Sequence, residues 1–317
     1  MSKPQSIYSV ARCIPIIAVL SLLALSGRSA LAQNGAADGE WRHYGGDAGS
    51  TRYSPLDQIT PENVDALEIA WRWKAASYGP RPEYNYQATP LMVNGVLYVT
   101  AGTARDVVAI DATTGETLWM WRYDGGERAD RAPRKNHRGV AYWTDGTSER
   151  ILYITAGYRL ISLDANNGRP DPTFGDEGIV DLFDGLDRPR PEIGLVGASS
   201  PPMIVGDIAV VGSAMSAFAR TRDNIAGFVR GYDIRTGERR WIFHTIPQPG
   251  EYGNDTWEND SWQYTGNTGA WAPMAADQEL GYVYLPLETP TNDLYGGHRP
   301  GDNLFAESLV CLDARTG

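Results

Sequence analysis

The stretch VVAIDATTGETLW (Val107–Trp119) decides the fold, because its pattern returns along the chain. In each copy an apolar run leads into an aspartate, and a glycine follows four residues after that aspartate. The aspartates are 53, 69 and 80 residues apart, a spacing typical of stacked supersecondary units. The later copies are LISLDANNGRP (Leu160–Pro170), VRGYDIRTGERRW (Val229–Trp241) and LVCLDARTG (Leu309–Gly317).

Pairs of apolar, β-branched runs precede these aspartate turns and predict antiparallel strands. Asn94-Gly95, Asp145-Gly146 and Gly206-Asp207 divide three of the pairs, and a fourth pair turns near Glu279–Gly281. Short Asn-Gly and Asp-Gly sequences between apolar runs are strong hairpin signals. The run before each aspartate predicts a third strand, and TLWMW and RRWIF predict a fourth. We therefore expect an all-β chain built from four-stranded antiparallel units.

A four-stranded sheet cannot bury both of its faces alone, and radial packing of such sheets in a β-propeller solves this problem. Trp119 and Trp241 close two of the copies and are expected to wedge between adjacent sheets. The last copy stops at its glycine, Gly317. We therefore expect about four propeller blades here, from the front part of a longer chain.

The N-terminus has the features of a cleaved signal peptide over residues 1–32. A basic start is followed by the apolar stretch Ile14–Leu25 and by the A-x-A site Ala30–Ala32 before Gln33. This predicts a periplasmic or secreted protein, with an uncleaved membrane anchor as the less favoured alternative. Residues 33–317 would then form one partial propeller domain.

The net charge and the cysteine count limit the partners and the kind of stabilisation that we expect. The formal net charge is −11, and removal of Lys3, Arg12 and Arg28 with the signal peptide changes it to −14. Such a charge disfavours nucleic acid as a partner. Export would leave Cys311 as the single cysteine, so no internal disulfide is expected and stability must come from the apolar core. The sequence contains no P-loop, nucleophile elbow or nicotinamide-binding glycine motif, and its histidines lack metal-ligand spacing.

Several stretches outside the repeat resemble the pyrroloquinoline-quinone (PQQ) dehydrogenases, especially the quinoprotein glucose dehydrogenase branch. They are EWRHYGGDAGSTRYSPLDQITPENVDALEIAWRW (Glu40–Trp73), NHRGVAYW (Asn136–Trp143) and GGHRPGDNLFAESLVCLDARTG (Gly296–Gly317). The resemblance implies an eight-bladed propeller that holds PQQ and calcium on its axis. It also implies oxidation of a sugar or alcohol by hydride transfer to the quinone, with a cytochrome or ubiquinone as the electron acceptor.

The same resemblance implies which residues bind PQQ. Arg138 matches the family arginine of the Arg-Gly-Val-Ala-Tyr segment, and a forked guanidinium suits a tricarboxylate. Trp271 matches the tryptophan whose ring lies under the quinone plane, although it could also be a packing residue between blades. Gln87 stands where many members carry a glutamate, and Ser199 where members carry a hydroxyl that contacts the cofactor; both could equally be strand-end groups. We expect the basic residues between Arg122 and Lys135 to lie in an ordinary solvated loop.

The resemblance also implies calcium, but the residues at the expected positions offer few ligands. The stretch Gly212–Phe218, where a family ligand is expected, contains no carboxylate or amide, with Ser216 and Ala217 in the critical places. Hard cations want several oxygens, usually including a carboxylate. Glu288 and Thr289 are the predicted metal residues, and Asp223 or Asn224 could reach the same place; strand-end groups facing solvent are the favoured alternative.

The general base of the family is an aspartate in a His-Asp-x-Trp-Asp-like segment, and no such segment occurs in these residues. We therefore expect the base to lie beyond Gly317 and residues 33–317 to be inactive alone. The alternative function is a non-catalytic propeller scaffold that binds protein partners in the cell envelope. The long polar stretch Thr245–Gly269 is interpreted as a cap over the propeller mouth or as an exposed insertion.

Overall fold

A computed structural model describes residues 35–75, 78, 83, 85–133, 136–189, 191–215 and 221–317. The predicted signal peptide, Ser216 and Ala217 lie outside the described residues. Four antiparallel sheets follow one another along the chain, and within each sheet the strands run in sequence order. The third sheet leaves out β12, which pairs with β9 in a separate two-stranded ribbon.

The first sheet contains β1 (Leu91–Val93), β2 (Val96–Ala101), β3 (Asp106–Asp111) and β4 (Thr117–Trp121). The second contains β5 (Ala141–Thr144), β6 (Glu149–Ile154), β7 (Arg159–Asp164) and β8 (Ile179–Asp181). The ribbon strands are β9 (Val196–Gly197) and β12 (Ala214–Met215). The third sheet contains β10 (Met203–Val205), β11 (Ile208–Val211), β13 (Val229–Asp233) and β14 (Arg239–Phe243). The fourth contains β15 (Ala275–Asp277), β16 (Tyr282–Pro286) and β17 (Leu309–Asp313).

Helical structure is short. The one α-helix among the described residues is α1 (Gly126–Asp130), and the 3-10 helices are η1 (Ala37–Gly39), η2 (Val64–Ala66), η3 (Asn254–Thr256) and η4 (Glu258–Gln263). Within the described ranges, no helix has the length and apolar character needed to cross a membrane. The predicted all-β class is confirmed, as are the predicted hairpin turns.

The sheets pack face to face in chain order, and each internal sheet uses both faces. In the second sheet Tyr142 and Ile151 pack with the first sheet, whereas their neighbours Trp143 and Leu152 pack with the third. This alternation follows from the two-residue period of a strand. The first strand of the third sheet, β10, contacts both β5 and β15, so the first strands are the inner edge of the stack. Inner edges that converge in this way are the arrangement of propeller blades.

The two ends of the sheets are built differently: one is the turn end and the other is the first-strand end. The turn end carries the Asp-x-x-x-Gly turns after β3, β7, β13 and β17. The first-strand end is the opposite end, where β1, β5, β10 and β15 begin. At the turn end each aspartate accepts hydrogen bonds from backbone N–H groups ahead of it; Asp233, for example, accepts them from Arg235 and Thr236 at 2.9 and 3.0 Å. The pattern therefore works as a local turn, as the sequence predicted.

Tryptophans join neighbouring sheets at the turn end. The indole of Trp119 donates to the carbonyl of Ala165 at 2.9 Å, and that of Trp241 donates to Ala314 at 2.8 Å. Each ring lies over the glycine of the next sheet's turn, where an added Cβ would come within 2.4 Å of Trp119 or 2.6 Å of Trp241. The predicted wedging of Trp119 and Trp241 is confirmed.

The second sheet replaces this tryptophan by an arginine. Its fourth strand, β8, begins fifteen residues after Asp164 and carries no tryptophan. Arg150 instead donates to the carbonyl of Ile234 at 2.5 Å, the position equivalent to Ala165 and Ala314 in the other turns. The same role is thus filled by a buried guanidinium that also pairs with Asp171 at 2.5 Å.

The outer face of the first sheet is covered by the segment that precedes it. Trp71, Trp73 and Tyr78 pack on Val99, Val108 and their neighbours in this face. Trp71 donates to the carbonyl of Ala112 at 3.2 Å and lies over Gly115, so it repeats the geometry of Trp119 and Trp241. The outer side of the fourth sheet is more open, with Leu309 74% exposed.

Candidate functional site

Four residues that the sequence proposed for cofactor binding lie at the same end of the molecule. Gln87 lies four residues before β1, Arg138 three before β5, Ser199 four before β10 and Trp271 four before β15. Each sheet therefore supplies one of them from the loop that enters its innermost strand. Because these strands converge, the four loops meet at the first-strand end.

Arg138, Ser199 and Trp271 are directly linked. The Arg138 guanidinium donates to the carbonyl of Ser199 at 3.1 Å, and its carbon lies 5.3 Å from the centroid of the Trp271 ring. The hydroxyl of buried Ser199 donates to the carbonyl of Trp271 at 2.9 Å, and Ser200 donates to the same carbonyl at 2.7 Å. Ser199 therefore joins the loop of the arginine to the loop of the tryptophan.

Gln87 reaches the same site through Asn136. Its side-chain oxygen accepts a hydrogen bond from the Asn136 amide at 2.5 Å, and its own amide donates to Asn85 at 3.3 Å. Asn136 is two residues before Arg138, so this contact joins the entry loops of the first and second sheets. Gln87 is half-buried in this position.

A cavity lies directly behind these residues along the inner strands. Its lining includes Val140 and Ala141 from the second sheet, Pro201 to Met203 from the third, and Pro273 and Met274 from the fourth. Residues 42–45 and Ser50 of the N-terminal segment complete the lining. Burial lowers the pKa of His43 in this lining, and Arg42 adds to that effect while Asp47 opposes it. The cavity confirms that the inner strands of three sheets approach one another immediately behind the proposed site.

Two arginines bring positive charge to the site, where the acidic neighbours include Glu83, which interacts with Arg105, and Glu288, which lies against the loop of Trp271. Buried Arg105 lies beside the Asn136–Arg138 segment and donates to the carbonyl of Asn136 at 3.1 Å. Burial, together with the charges of Arg105 and Arg138, holds the pKa of His137 well below its ordinary value, so its imidazole is neutral. The ring nitrogen Nδ1 of His137 accepts the Gly139 N–H at 3.1 Å, which leaves the proton on Nε2. The positive charge therefore resides on the two arginines.

The expectation of an ordinary solvated loop between Arg122 and Lys135 is wrong for Arg128, whereas the Arg122 side chain is 53% exposed as expected although it makes an ion pair. Arg122 pairs with the fully buried Asp106 at 2.6 Å. Arg128 is buried, makes a two-pronged ion pair with Asp181 at 2.6 and 2.8 Å, and stacks 3.5 Å from the Phe183 ring centroid. Arg131 is exposed as expected, whereas Arg134 and Lys135 lie outside the described residues. Whether an arginine of this loop is buried or exposed depends on tertiary contacts, which the sequence spacing does not reveal.

One of the predicted metal residues, Glu288, is bonded to the loop that carries Trp271. The Glu288 N–H donates to the carbonyl of Gly269 at 3.2 Å, and both Glu288 and Thr289 are half-buried. Asp223 is exposed, and the Asn224 amide donates to carbonyls of its own loop, those of Thr221 and Arg222. Over the described residues there is no cluster of three or more acidic, histidine or cysteine side chains that could hold a metal ion. One carboxylate near Trp271 falls short of the several oxygens that calcium requires, so these residues do not fit calcium on their own.

The stretch Thr245–Gly269 is a packed insertion. Trp257 is buried in a small core with Phe228 and Ile246, and its indole donates to the carbonyl of Leu304 at 2.5 Å. Arg188 donates to the carbonyls of Gln263 and Thr265 at 3.1 and 3.3 Å. The stretch is thus packed on its inner side and exposed on its outer side, where Tyr252 is 84% exposed. The cap over the mouth stays a prediction.

Sequence reasoning missed Arg105, Asn136 and Ser200. Asn136 precedes Arg138 by two residues, and Ser200 directly follows Ser199, so adjacency to predicted residues could have identified both. Arg105 has no such signal, because it reaches the site from the turn between β2 and β3 of the first sheet.

Comparisons with known proteins agree with this geometry. A profile of the family described as "PQQ: Glucose/ethanol/alcohol dehydrogenase, beta-propeller domain" matches residues 41–317. The glycerol dehydrogenase large subunit of Gluconobacter oxydans (strain 621H) is 34% identical over 89% of this chain and 38% of its own length. The quinoprotein glucose dehydrogenase of Escherichia coli (strain K12) is 31% identical over 89% of this chain and 36% of its own length.

A solved structure gives the same result for the fold. The crystal structure of quinohemoprotein alcohol dehydrogenase from Comamonas testosteroni matches with a TM-score of 0.72 and 26% identity. The match covers 90% of this chain and 41% of that one. The chain thus spans less than half of the length of each of these relatives.

Proposed function

This chain belongs to the family of PQQ-type glucose, ethanol and alcohol dehydrogenase β-propeller domains, and on that premise we propose that its first-strand end binds pyrroloquinoline quinone. The protein would act as a quinoprotein dehydrogenase on the CH–OH group of a sugar or alcohol. A cytochrome or ubiquinone would accept the electrons. The chain would contribute the part of the cofactor site that Gln87, Arg138, Ser199 and Trp271 form.

One observation carries the proposal: Arg138 lies 5.3 Å from the Trp271 ring centroid, and Ser199 bonds to both residues. A flat tricarboxylate needs an aromatic face and a forked cationic donor in the same place, and this pair supplies both. Beside this pair His137 is neutral and Arg105 is a second buried guanidinium, while the carboxylate of Glu288 belongs to a residue bonded to the loop of Trp271. The residues present therefore fit PQQ.

The residues have separate tasks. When bound, PQQ supplies the quinone that accepts the hydride. Trp271 would stack against the plane of the quinone, and Arg138 would bind a carboxylate or quinone oxygen. Ser199 would hold the loops of those two residues in place. Gln87, which is bonded to Asn136, would limit one side of the site. No step that needs a general base is assigned to these residues.

The binding of PQQ is tested by titration of the chain with quenching of tryptophan fluorescence as the signal. We expect saturable quenching, and Arg138→Ala should weaken the affinity by about tenfold to a hundredfold because a charge-assisted hydrogen bond is lost. Arg235→Ala is the matched control: Arg235 lies 4.8 Å from the Trp143 ring centroid at the turn end. Equal losses in the two variants, or no saturable binding by the unaltered chain, would refute the proposal. A scaffold function predicts the second of these outcomes.

Turnover is tested separately with glucose, glycerol and ethanol and a reducible dye. We expect no PQQ-dependent dye reduction by residues 33–317 alone, because they contain no His-Asp-x-Trp-Asp-like base segment. Dye reduction by this chain would mean that another residue takes the substrate proton.

The described residues do not make a calcium site, so calcium has no role in the chemistry proposed here. Its effect on PQQ affinity can be measured. If Glu288 and Thr289 contribute to a calcium site, calcium should strengthen PQQ binding, and Glu288→Gln should remove that effect. An unchanged calcium response in Glu288→Gln would exclude the carboxylate as a ligand.

We also propose export with cleavage after Ala32. The basic, apolar and A-x-A features of residues 1–32 support this proposal. Sequencing the N-terminus of the protein recovered from the periplasm should give Gln33 as the first residue. Recovery of the intact N-terminus in membranes would favour the anchored alternative.

A further inference from the structure

Arg105 occupies an unusual place for an arginine. It lies in the turn between β2 and β3 at the first-strand end, and only 2% of its surface is exposed. Its guanidinium crosses from the first sheet to the second, where it donates to the carbonyl of Ile154 at 3.2 Å and to that of Asn136 at 3.1 Å. Burial of an arginine costs free energy unless its N–H groups find acceptors. Because both of these acceptors belong to one neighbouring sheet, we expect the guanidinium to have a specific structural role there.

That task concerns the segment that carries Arg138. Ile154 is the last residue of β6, and Asn136 begins the approach to β5, so one guanidinium joins the end of one strand to the entry of its neighbour. The Asn136 side chain is bonded to Gln87, and His137 accepts the Gly139 N–H. Arg105 therefore completes a set of restraints on the backbone that presents Arg138.

Arg105 also adds positive charge close to Arg138. A cation in a buried environment is poorly screened, so its field acts over a longer distance than that of a surface arginine. His137 beside it is neutral, whereas Glu83 is an acidic neighbour that interacts electrostatically with Arg105 and offsets part of its field. A polyanion at Arg138 would experience both guanidinium groups, with the contribution of Arg105 reduced by Glu83.

We infer that Arg105 is a positioning residue of the quinone site: it holds the Asn136–Arg138 segment in place and adds positive potential for the bound tricarboxylate. This inference rests on the proposed function for its cofactor. Its structural half, the restraint of Asn136–Arg138, concerns the cofactor-free chain and is independent of the ligand.

Arg150 provides a matched control. It is also buried, at 9% exposure, and donates to two carbonyls of a neighbouring sheet, those of Ile234 at 2.5 Å and Arg235 at 3.2 Å. It lies at the turn end, far along the strands from Arg138. A purely structural role for buried arginines predicts that Arg105 and Arg150 behave alike toward PQQ.

The experiment compares Arg105→Met, Arg105→Lys and Arg150→Met in the full chain. Urea unfolding gives stability, and titration with PQQ by tryptophan quenching gives affinity. We expect both methionine variants to lose stability, but Arg105→Met alone to weaken PQQ binding, by about tenfold to a hundredfold. Arg105→Lys should recover part of the affinity, because the charge remains while the forked geometry is lost.

Hydrogen–deuterium exchange of the cofactor-free variants tests the structural half directly. Arg105→Lys and Arg105→Met should accelerate exchange in residues 136–140, whereas Arg150→Met should do so in residues 233–237. Equal PQQ affinities for Arg105→Met and Arg150→Met, or unchanged exchange in residues 136–140, would overturn the inference. Absence of PQQ binding by the unaltered chain would instead refute the proposed function, and the exchange result would still decide the restraint.

Discussion

Two arginine–tryptophan pairs lie at opposite ends of the sheets, and in our proposal one stabilises the fold while the other binds the cofactor. At the turn end, Arg235 lies 4.8 Å from the Trp143 ring centroid and pairs with Asp145 at 2.5 Å and Asp207 at 3.6 Å. At the first-strand end, Arg138 lies 5.3 Å from the Trp271 ring centroid and donates to the neutral carbonyl of Ser199. The first pair includes the carboxylates of two hairpin turns, those of Asp145 and Asp207. The second pair brings a guanidinium and an aromatic face together in the entry loops of two sheets.

The pKa values reflect the same contrast. Backbone N–H groups of Ser148 and Thr147, with Arg235, hold the pKa of Asp145 well below its usual range, so the turn end keeps its carboxylates ionised. At the other end burial lowers the pKa of His137 and keeps it neutral. Repeated local turns therefore stabilise one end, and a set of single, non-repeated residues forms the other.

The largest expected effect comes from removal of an inter-sheet tryptophan. Trp241→Ala should reduce the free energy of unfolding by about 3 to 5 kcal/mol, because a buried ring and its bond to Ala314 are lost. Leu118→Ala on the exposed side of β4 is the control and should have little effect. Urea unfolding that shows less than about 1 kcal/mol for Trp241→Ala would mean that the turn end is not held by these rings.

Breaking the buried ion pair between Arg128 and Asp181 should reduce the free energy of unfolding by less than this. Asp181→Asn leaves Arg128 without its two-pronged partner, and we expect a loss of about 2 to 3 kcal/mol, since Asp181 is still 27% exposed. Glu127→Gln, which breaks the exposed pair with Arg131, should cost below about 0.5 kcal/mol in the same measurement. Similar losses in the two variants would show that the loop around α1 is as solvated as its sequence suggests.

The smallest effect concerns pH. Because the folded-state pKa of His137 is depressed, the unfolded chain takes up a proton as the pH falls through the ordinary value near 6.5 while the folded chain does not. Stability is then fully present above that pH and is lost below it, by at most about 1.4 kcal/mol per pH unit for one proton.

His137→Asn should therefore show a shallower loss of unfolding free energy between pH 7.5 and 5.5 than the unaltered chain. His43→Asn should act in the same direction, since burial lowers that pKa as well. If His137→Asn keeps the original slope, the histidine is not buried as neutral imidazole.

The sequence predicted the turn end well and the site only in part. The Asp-x-x-x-Gly turns, the hairpins and the wedging of Trp119 and Trp241 depend on local chemistry, so a single sequence reveals them. Strand β8 and the role of Arg150 were missed, because there a residue from β6 replaces the tryptophan. The burial of Arg105 and Arg128 was missed because it depends on which sheets become neighbours. Family resemblance identified Gln87, Arg138, Ser199 and Trp271, and the structure brings them together at the first-strand end; their contact with PQQ stays a prediction.

A crystal structure of the chain soaked with PQQ would show directly where the cofactor binds. We expect a quinone plane against the Trp271 ring, with a carboxylate or quinone oxygen within hydrogen-bond distance of the Arg138 guanidinium. Density for PQQ at the turn end near Trp143 and Arg235, or an empty first-strand end in crystals that bind PQQ elsewhere, would contradict it.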